Sequence, residues 1–332
     1  MTTRTLGVIM NGVTGRMGHR QHLVRSVLAI KEQGGVALGD GDRVLLRPIL
    51  VGRSATKLRT LAQAHGIEDW TPSLAEALSD PAAEIYFDAQ VTQARVPAVT
   101  RAIEAGRHVY VEKPTAEDLA GATGLTRIAR EAGVKNGVVQ DKLFLPGLRK
   151  LKRLIDGGFF GRILSVRGES GYWVFEGDWQ EAQRPSWNYR AEDGGGIVLD
   201  MFPIAQINSS WCTRVDRDEL VEFQVDGTHG SAVAGLRDCR VQHRGGTPKP
   251  VWNPDEPADH GFRAQWQQVP DNAVFDNAFK TQWEMFVRHV VEDAPFPHDF
   301  AAGAPGVYVA EAGLRSSAEG RRIELEPLDD HT

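Results

Sequence analysis

Leu6-Gly-Val-Ile-Met10 is a short apolar run that ends in Asn11-Gly12-Val13-Thr14-Gly15-Arg16-Met17-Gly18. An apolar run of this length, bounded by glycines, suits a buried parallel strand followed by a tight turn. Beyond the turn, Leu23, Val24, Val27, Leu28 and Ile30 recur at helical spacing, and Gly34-Gly35 stops the helix. In a strand–turn–helix unit, glycines let the backbone approach a pyrophosphate, and the amino end of the helix favours its negative charge. The spacing G-x-x-G-x-x-G is looser than the usual G-x-G-x-x-G, so the context carries the dinucleotide reading. Gly12, Val13, Thr14, Gly15, Arg16, Met17 and Gly18 form the expected cradle.

The unit then repeats. Pro48–Val51 reads as a strand, and Ser54 caps a helix that carries Leu58, Leu61 and Ala62 and closes at Gly66. Ser73-Leu-Ala-Glu76 has the form of a capping box before another short helix. Ile85–Phe87, His108–Val111 and Val134–Val139 read as further strands, with helices around Pro97–Ala105 and Glu117–Glu131. Such alternation predicts an α/β fold, a doubly wound parallel sheet of Rossmann type over residues 1–140. After Leu151 the rhythm changes. A helix through Leu154-Ile155 precedes strand-like runs at Arg162–Gly168, Ile204–Trp211, Leu220–Val225 and Ser231–Leu236 with no helices between them. This predicts a second, α+β domain over residues 141–332 with an open, mainly antiparallel sheet. It takes in two C-terminal helices near Asn277–Glu292 and Val307–Gly320, and Pro248, Pro250, Pro254 and Pro257 mark an extended arm.

Composition narrows the function. Among 332 residues, 38 Lys+Arg against 44 Asp+Glu leave a net charge of −6 with no basic run, which argues against a nucleic-acid partner. No apolar stretch is long enough to span a bilayer, and Leu6–Met10 leaves no room for a signal peptide. Cys212 and Cys239 lie outside any CxxC and build no disulfide framework. A reduced, cytoplasmic protein without a membrane partner is expected. No His, Cys and Asp cluster has metal-ligand spacing.

An NAD site places Asp or Glu after the second strand, to accept from the ribose hydroxyls. Here the chain reads Val51-Gly52-Arg53-Ser54, with Lys57 one turn later. Arg53 and Ser54 could hold a 2′-phosphate, which makes NADP the preferred cofactor and NAD the alternative. The plainer reading leaves Arg53 in solvent and Ser54 as a helix cap.

His108-Val-Tyr-Val-Glu112-Lys113-Pro114 ends a strand at the carboxyl edge of the sheet, where ligands of such folds bind. Together with Gly15-Arg-Met-Gly18 and Gly194-Gly-Gly-Ile-Val-Leu-Asp200, it makes nearly the whole chain resemble the Gfo/Idh/MocA family. That resemblance implies NAD(P)-dependent hydride transfer at a hydroxyl or carbonyl of a sugar, cyclitol or related polyol. It implies that Lys113 reaches the substrate and the nicotinamide ribose, with Glu112 and Pro114 shaping the cofactor turn. A lysine there can hydrogen-bond the reacting oxygen and stabilise its developing charge. The dihydrodipicolinate reductases have a similar glycine turn, but the His-His pair they carry is missing here.

Two departures from the family pattern stand out. Many members carry a Thr-Pro pair and a histidine where this chain reads Asp88-Ala-Gln-Val-Thr-Gln-Ala-Arg95, which puts Arg95 in the histidine's place. Members usually carry Asp-x-x-x-His, the Asp binding substrate and the His acting as base, whereas Asp200 here is followed by Ile204. Deprotonation then falls to Lys113 or a tyrosine such as Tyr172. Moreover, Ile197–Phe202 is too short for two helical turns before Pro203, and strand-like Ile204–Trp211 follows with no connector. Several tens of residues near Pro203 are therefore expected to be absent, unless a natural shortening has rewired the sheet. The alternative function is a dinucleotide-binding protein with little or no turnover, and homo-oligomerisation through the second-domain sheet is expected to be weakened.

Tyr172, Trp173, Phe175, Trp179, Trp187 and Tyr189 crowd one stretch, with Asn188 and Arg190 among them. Aromatic faces beside polar groups suit a hydroxylated ring, so Trp173, Trp187, Asn188, Tyr189 and Arg190 are the expected substrate residues. Core packing is the alternative for the aromatics, and a surface ion pair for Arg190. Gln140-Asp141-Lys142 either faces the cleft or is a domain-boundary loop. His22 is expected to be packed or exposed rather than catalytic.

Overall fold

Val8 and Met10 turn to one face of the first strand and Ile9 to the other, and all three are fully buried. A strand buried on both faces requires helices on both sides of its sheet. The computed structural model describes residues 2–171, 206–210, 215–249, 255 and 261–328, which fall into two units. In the first, β1 (Thr3–Asn11) leads into α1 (Met17–Leu28), a helix of π type continued by one α-helical turn, Ala29–Glu32. There follow β2 (Val36–Ala37), β3 (Arg43–Val51), α2 (Ala55–His65), β4 (Trp70–Thr71) and α3 (Leu74–Ser79). Then come β5 (Ala83–Asp88), α4 (Thr92–Glu104), β6 (His108–Val111), α5 (Leu119–Glu131) and β7 (Asn136–Val138). The sheet runs β2-β3-β1-β5-β6-β7, with β4 also paired to β3. Every pair is parallel except β2 with β3.

Local chemistry explains the boundaries. The Ser54 hydroxyl accepts from Lys57 N (3.4 Å) and caps α2, which Gly66 stops in the left-handed conformation at φ 61°. Asp118 caps α5 by accepting from Gly121 N at 2.7 Å. The expected capping box at Ser73 is only half made. Ser73 accepts from Glu76 N at 3.2 Å, but its own N–H donates to the Thr71 hydroxyl at 3.0 Å, and Thr71 in turn donates to the Glu76 carboxylate.

The second unit begins with α6 (Pro146–Asp156) and continues through β8 (Ile163–Gly171), β9 (Gln206–Ser210), β10 (Val221–Gly227), β11 (Gly230–Ala234), β12 (Cys239–His243) and β13 (Gln267–Gln268). Its sheet, β13-β12-β11-β10-β8-β9, is antiparallel apart from the parallel β8–β9 pair. Leu151 of α6 packs with Phe160, Val225, Ala232, Ala234 and Cys239 to form its core. Burial pushes the Cys239 thiol up to about 11, so this free cysteine is a packing residue.

The domain boundary needs a correction. The C-terminal helices, α7 (Ala278–Glu292) and α8 (Phe300–Glu319), belong to the first unit with residues 1–141, not to the second. Trp283, Phe286 and Val287 of α7 are fully buried on the face of the parallel sheet that carries Val8, Met10 and Phe87, and Phe300 joins the core on the other face. The Phe286 ring stacks on Tyr110 of β6 with centroids 4.9 Å apart. Hydrophobic periodicity identifies α7 as amphipathic but does not say which sheet it covers. Among the described residues, no helix is long and apolar enough to cross a membrane.

This placement predicts that Phe286→Ala destabilises the parallel-sheet unit by about 3–5 kcal/mol, the usual cost of truncating a buried aromatic. Urea unfolding of the full chain measures it, and a loss below about 1 kcal/mol would contradict the placement.

Candidate active site

Strand register brings the site together. Val51 lies level with Asn11, Asn11 with Asp88, Asp88 with Val111, and Val111 with Val138, so β3, β1, β5, β6 and β7 share one carboxyl edge. β1 lies between β3 and β5, which is where connections diverge and ligands of such sheets bind. The residues just past the edge include Gly12, Arg53, Gln90 and Lys113.

The glycine turn is built for close approach. Gly12 has φ +81°, and a side chain there would put its Cβ 2.6 Å from the Ala89 carbonyl carbon. A Cβ at Gly18 would lie 2.7 Å from the Gly12 oxygen. Gly12 N donates to Val51 O (3.1 Å), Gly15 N to Gly12 O (3.0 Å) and His19 N to Gly15 O (2.8 Å), which fold the turn onto the start of α1. Val13 is buried beneath the turn, Met17 is half-buried, and Thr14, Gly15 and Arg16 are exposed. No side chain caps α1, and no acidic residue stands in its first turn, leaving N–H donors for an anion.

Beside the turn opens a cleft of about 300 Å³. Asn11, Gly52, Arg53, Gln90 and Arg101 supply its polar lining, and Pro72, Leu74, Pro97 and Ala98 its apolar walls. Among the described residues, no carboxylate lines it. Arg53 and Arg101 are exposed and have no side-chain partner among the described residues. Ser54 does cap α2, as the plainer sequence reading has it. Arg101 was not foreseen, because its orientation depends on how α4 rolls against the sheet.

Glu112, Lys113 and Pro114 follow β6. Glu112 is only 6% exposed; its Oε1 lies 2.7 Å from His22 Nε2, and its Oε2 accepts from Lys113 N at 3.1 Å. Burial alone would raise its pKa, but the His22 hydrogen bond and the charges of Lys113 and Arg95 outweigh burial and hold it at about 2. Glu112 is therefore a buried carboxylate at the foot of Lys113. Sequence reasoning left His22 without a function; the structure buries it completely and pairs it with Glu112.

Arg95 does not stand free as a cofactor contact. It is 1% exposed; its Nε donates to Asp88 Oδ1 at 3.1 Å, Nη2 to Gln90 O at 3.2 Å, and Nη1 to the Pro114 carbonyl. The other Asp88 oxygen accepts from Tyr86 OH at 2.7 Å, and Asn11 Nδ2 donates both to that hydroxyl and to Gln90 Oε1, each at 2.9 Å. Burial and the Asp88 charge push the Tyr86 hydroxyl well above its ordinary range, so it stays a neutral donor. Arg95 thus ties the end of β5 to the turn that carries Lys113. Gln140 and Asp141, at the end of the unit, turn inward: Gln140 N donates to Gln282 Oε1 at 2.8 Å, and Asp141 is buried. Tyr172, Trp173, Trp187, Asn188, Tyr189, Arg190 and Asp200 lie outside the described residues. No group of three or more metal-ligating side chains occurs among the described residues.

The low Glu112 pKa makes a stability prediction. A folded-state value of about 2 against an ordinary 4.5 means stability that is fully present above pH 4.5 and lost as pH falls through 2. Wild type should therefore lose about 3 kcal/mol relative to Glu112→Gln over that interval. Chemical unfolding of both proteins along a pH series measures it. Parallel curves would place Glu112 in solvent-like surroundings.

Comparisons with known proteins give the family. A family model described as an oxidoreductase family with an NAD-binding Rossmann fold matches residues 36–140, and the GFO/IDH/MocA C-terminal domain model matches residues 148–203. The chain is 50% identical to D-xylose dehydrogenase of Paenarthrobacter nicotinovorans, across 98% of this chain and 99% of that one. Their alignment is 383 positions long against 332 residues here, so at least 51 positions of the relative have no counterpart in this chain. The scyllo-inositol 2-dehydrogenase (NAD(+)) of Bacillus subtilis is 30% identical over 46% of this chain and 41% of its own length. In fold, levoglucosan dehydrogenase in complex with NADH superimposes with a TM-score of 0.77 over 98% of this chain and 100% of that one, at 16% identity. With half its residues shared with a sugar dehydrogenase from end to end, the chain belongs to the GFO/IDH/MocA family of NAD-binding oxidoreductases.

Proposed function

We propose that this NAD(P)-dependent oxidoreductase acts on an aldose of the D-xylose type and prefers NADP. The substrate class rests on the 50% identity to the xylose dehydrogenase. The cofactor preference rests on one observation: among the described residues, the cleft beside the glycine turn carries Arg53 and Arg101 and no carboxylate. An acidic ribose ligand would repel a 2′-phosphate, whereas two exposed guanidiniums attract it. The backbone of Gly12, Val13, Thr14, Gly15, Arg16, Met17 and Gly18 would hold the pyrophosphate, since no side chain caps the start of α1. Ser54, already the cap of α2, can still offer its hydroxyl proton to the phosphate.

A bound nicotinamide would supply hydride transfer at the substrate carbon. The task of the protein is to place the sugar and manage the proton. Lys113, just beyond β6, would hydrogen-bond the reacting oxygen, while Glu112 and Pro114 fix the turn that carries it. Trp173, Trp187, Asn188, Tyr189 and Arg190 would form the sugar wall, and Asp200 would bind a hydroxyl. With Ile204 in the usual place of histidine, Lys113 or Tyr172 takes the proton. We infer a cytoplasmic protein whose association through the sheet of the second unit is weakened.

A second reading, dinucleotide binding with little turnover, is favoured by those unmatched positions of the relative and by the C-terminal domain model stopping at Pro203. We place the missing segment there, between Phe202 and Ile204.

One preparation, its chain length confirmed by intact mass, separates the two readings. NADP and NAD binding are titrated by fluorescence, and turnover is measured on D-xylose and a polyol panel. The first reading predicts NADP-linked turnover of an aldose, and the second predicts binding alone. Arg53→Ala should weaken NADP by about 1.5–3 kcal/mol and leave NAD unchanged, and equal wild-type affinities for the two would refute the preference. Lys113→Met should keep the thermal midpoint and lower turnover by about 10²–10³-fold. A near-normal rate would remove Lys113 from the site.

A further inference from the structure

We propose that His22 on α1, backed by Trp283 on α7, is a positioning residue that sets the Glu112–Lys113 turn through a single hydrogen bond to Glu112. The inference rests on the dehydrogenase reading for its role in turnover, while its geometry stands independently.

The tautomer follows from the donors. Trp283 Nε1–H can only donate, and it lies 3.0 Å from His22 Nδ1, which must therefore be the bare nitrogen. The ring proton sits on Nε2 and is donated to Glu112 Oε1. These two hydrogen bonds fix the ring in orientation. Phe87 and Phe279 pack against the ring with centroids at 4.3 and 5.1 Å, and no part of it reaches solvent. The second Glu112 oxygen accepts the backbone N–H of Lys113, one residue past the edge of the sheet. One carboxylate thus joins the first helix to the residue that faces the substrate. Trp283 extends that chain to the C-terminal helix.

The charged and titratable groups facing Glu112 are few. His22 comes from α1, Arg95 from α4, Lys113 from its own turn, and the Tyr110 hydroxyl from β6; Arg95 is already paired with Asp88. His22 supplies the one side-chain hydrogen bond that lowers the Glu112 pKa. Without that donor, a carboxylate this deeply buried either takes up a proton near neutral pH or shifts toward solvent. Either change moves Lys113. A displacement of about 1 Å at a reacting group costs up to about 10²-fold in rate.

The test compares His22→Met, which keeps much of the volume without a donor, with His22→Gln, whose amide can still donate toward Glu112. Thermal unfolding, NADP binding, and kcat and KM for D-xylose across pH are measured for each. In a folded His22→Met protein we expect kcat to fall about 10–100-fold with the sugar KM within about threefold. The acid limb of kcat should move toward neutral pH, because Glu112 now protonates more readily, and His22→Gln should recover most of the rate. Wild-type kcat and an unmoved acid limb in His22→Met would overturn the proposal, as would a His22→Gln protein no better than His22→Met. Should His22→Met not fold, Trp283→Phe takes its place, since it keeps an aromatic ring and removes the indole donor along with part of the ring's volume. The acid limb is then expected to move in the same direction, and an unchanged profile would overturn the proposal. If wild type turns over no sugar, the dehydrogenase reading is what fails, and NADP affinity decides for His22. Affinity about tenfold weaker in His22→Met and restored in His22→Gln supports the proposal, and unchanged affinity overturns it.

Discussion

In-register parallel pairing of five strands is the constraint on which the rest of this molecule depends. Because Val51, Asn11, Asp88, Val111 and Val138 stand level, the chain leaves every strand at the same edge. Residues far apart in sequence, Gly12, Arg53, Gln90 and Lys113, are thereby delivered to one rim. A one-residue slip in any pair would turn its whole apolar set to the wrong face, so the hydrophobic cores on both sides fix the register. The aromatic layer formed by Phe87, Tyr110, Trp283 and Phe286 is part of that requirement, which makes the C-terminal helix structural to the dinucleotide-binding unit.

Register alone leaves the connecting turns free, and buried charge restrains them. Asp88 with Arg95 and Glu112 with His22 place ionised carboxylates in an interior where each demands donors. Breaking the Asp88–Arg95 pair by removing one partner typically costs about 3–5 kcal/mol, since it leaves a buried charge uncompensated. The Arg95 guanidinium suits this task because its planar fork reaches three acceptors at once, Asp88, Gln90 O and Pro114 O. The turn after β6 is thus held from both sides, by α4 through Arg95 and by α1 through His22.

Much of this was legible in the sequence. The apolar run into Gly12, the strand before Glu112-Lys113-Pro114, and the caps at Ser54 and Ser73 announce themselves within a few residues, because strands, turns and caps are local chemistry. The polar networks were not legible. His22, Glu112 and Trp283 are separated by 90 and 261 positions along the chain from His22, and nothing in any single window marks them as partners. Arg95 stands where many family members carry a histidine, but its charge is used inward, on Asp88. The C-terminal helices are legible as helices, although the second begins at Phe300 rather than Val307, and their place in the first unit is not, because an amphipathic face does not name its partner. The expected sugar wall from Tyr172 to Arg190 and the Asp200 helix lie outside the described residues.

We propose that this carboxyl edge is an NADP site with Lys113 at its reacting end. A crystal structure of the full chain with NADP bound tests it most directly. The account predicts the pyrophosphate on the Gly12–Gly18 backbone, the 2′-phosphate against Arg53 in the cleft beside it, and the nicotinamide over the Glu112–Lys113 turn. A dinucleotide bound elsewhere, or bound here with its 2′-phosphate turned away from Arg53 and Arg101 and its nicotinamide remote from Lys113, would contradict it.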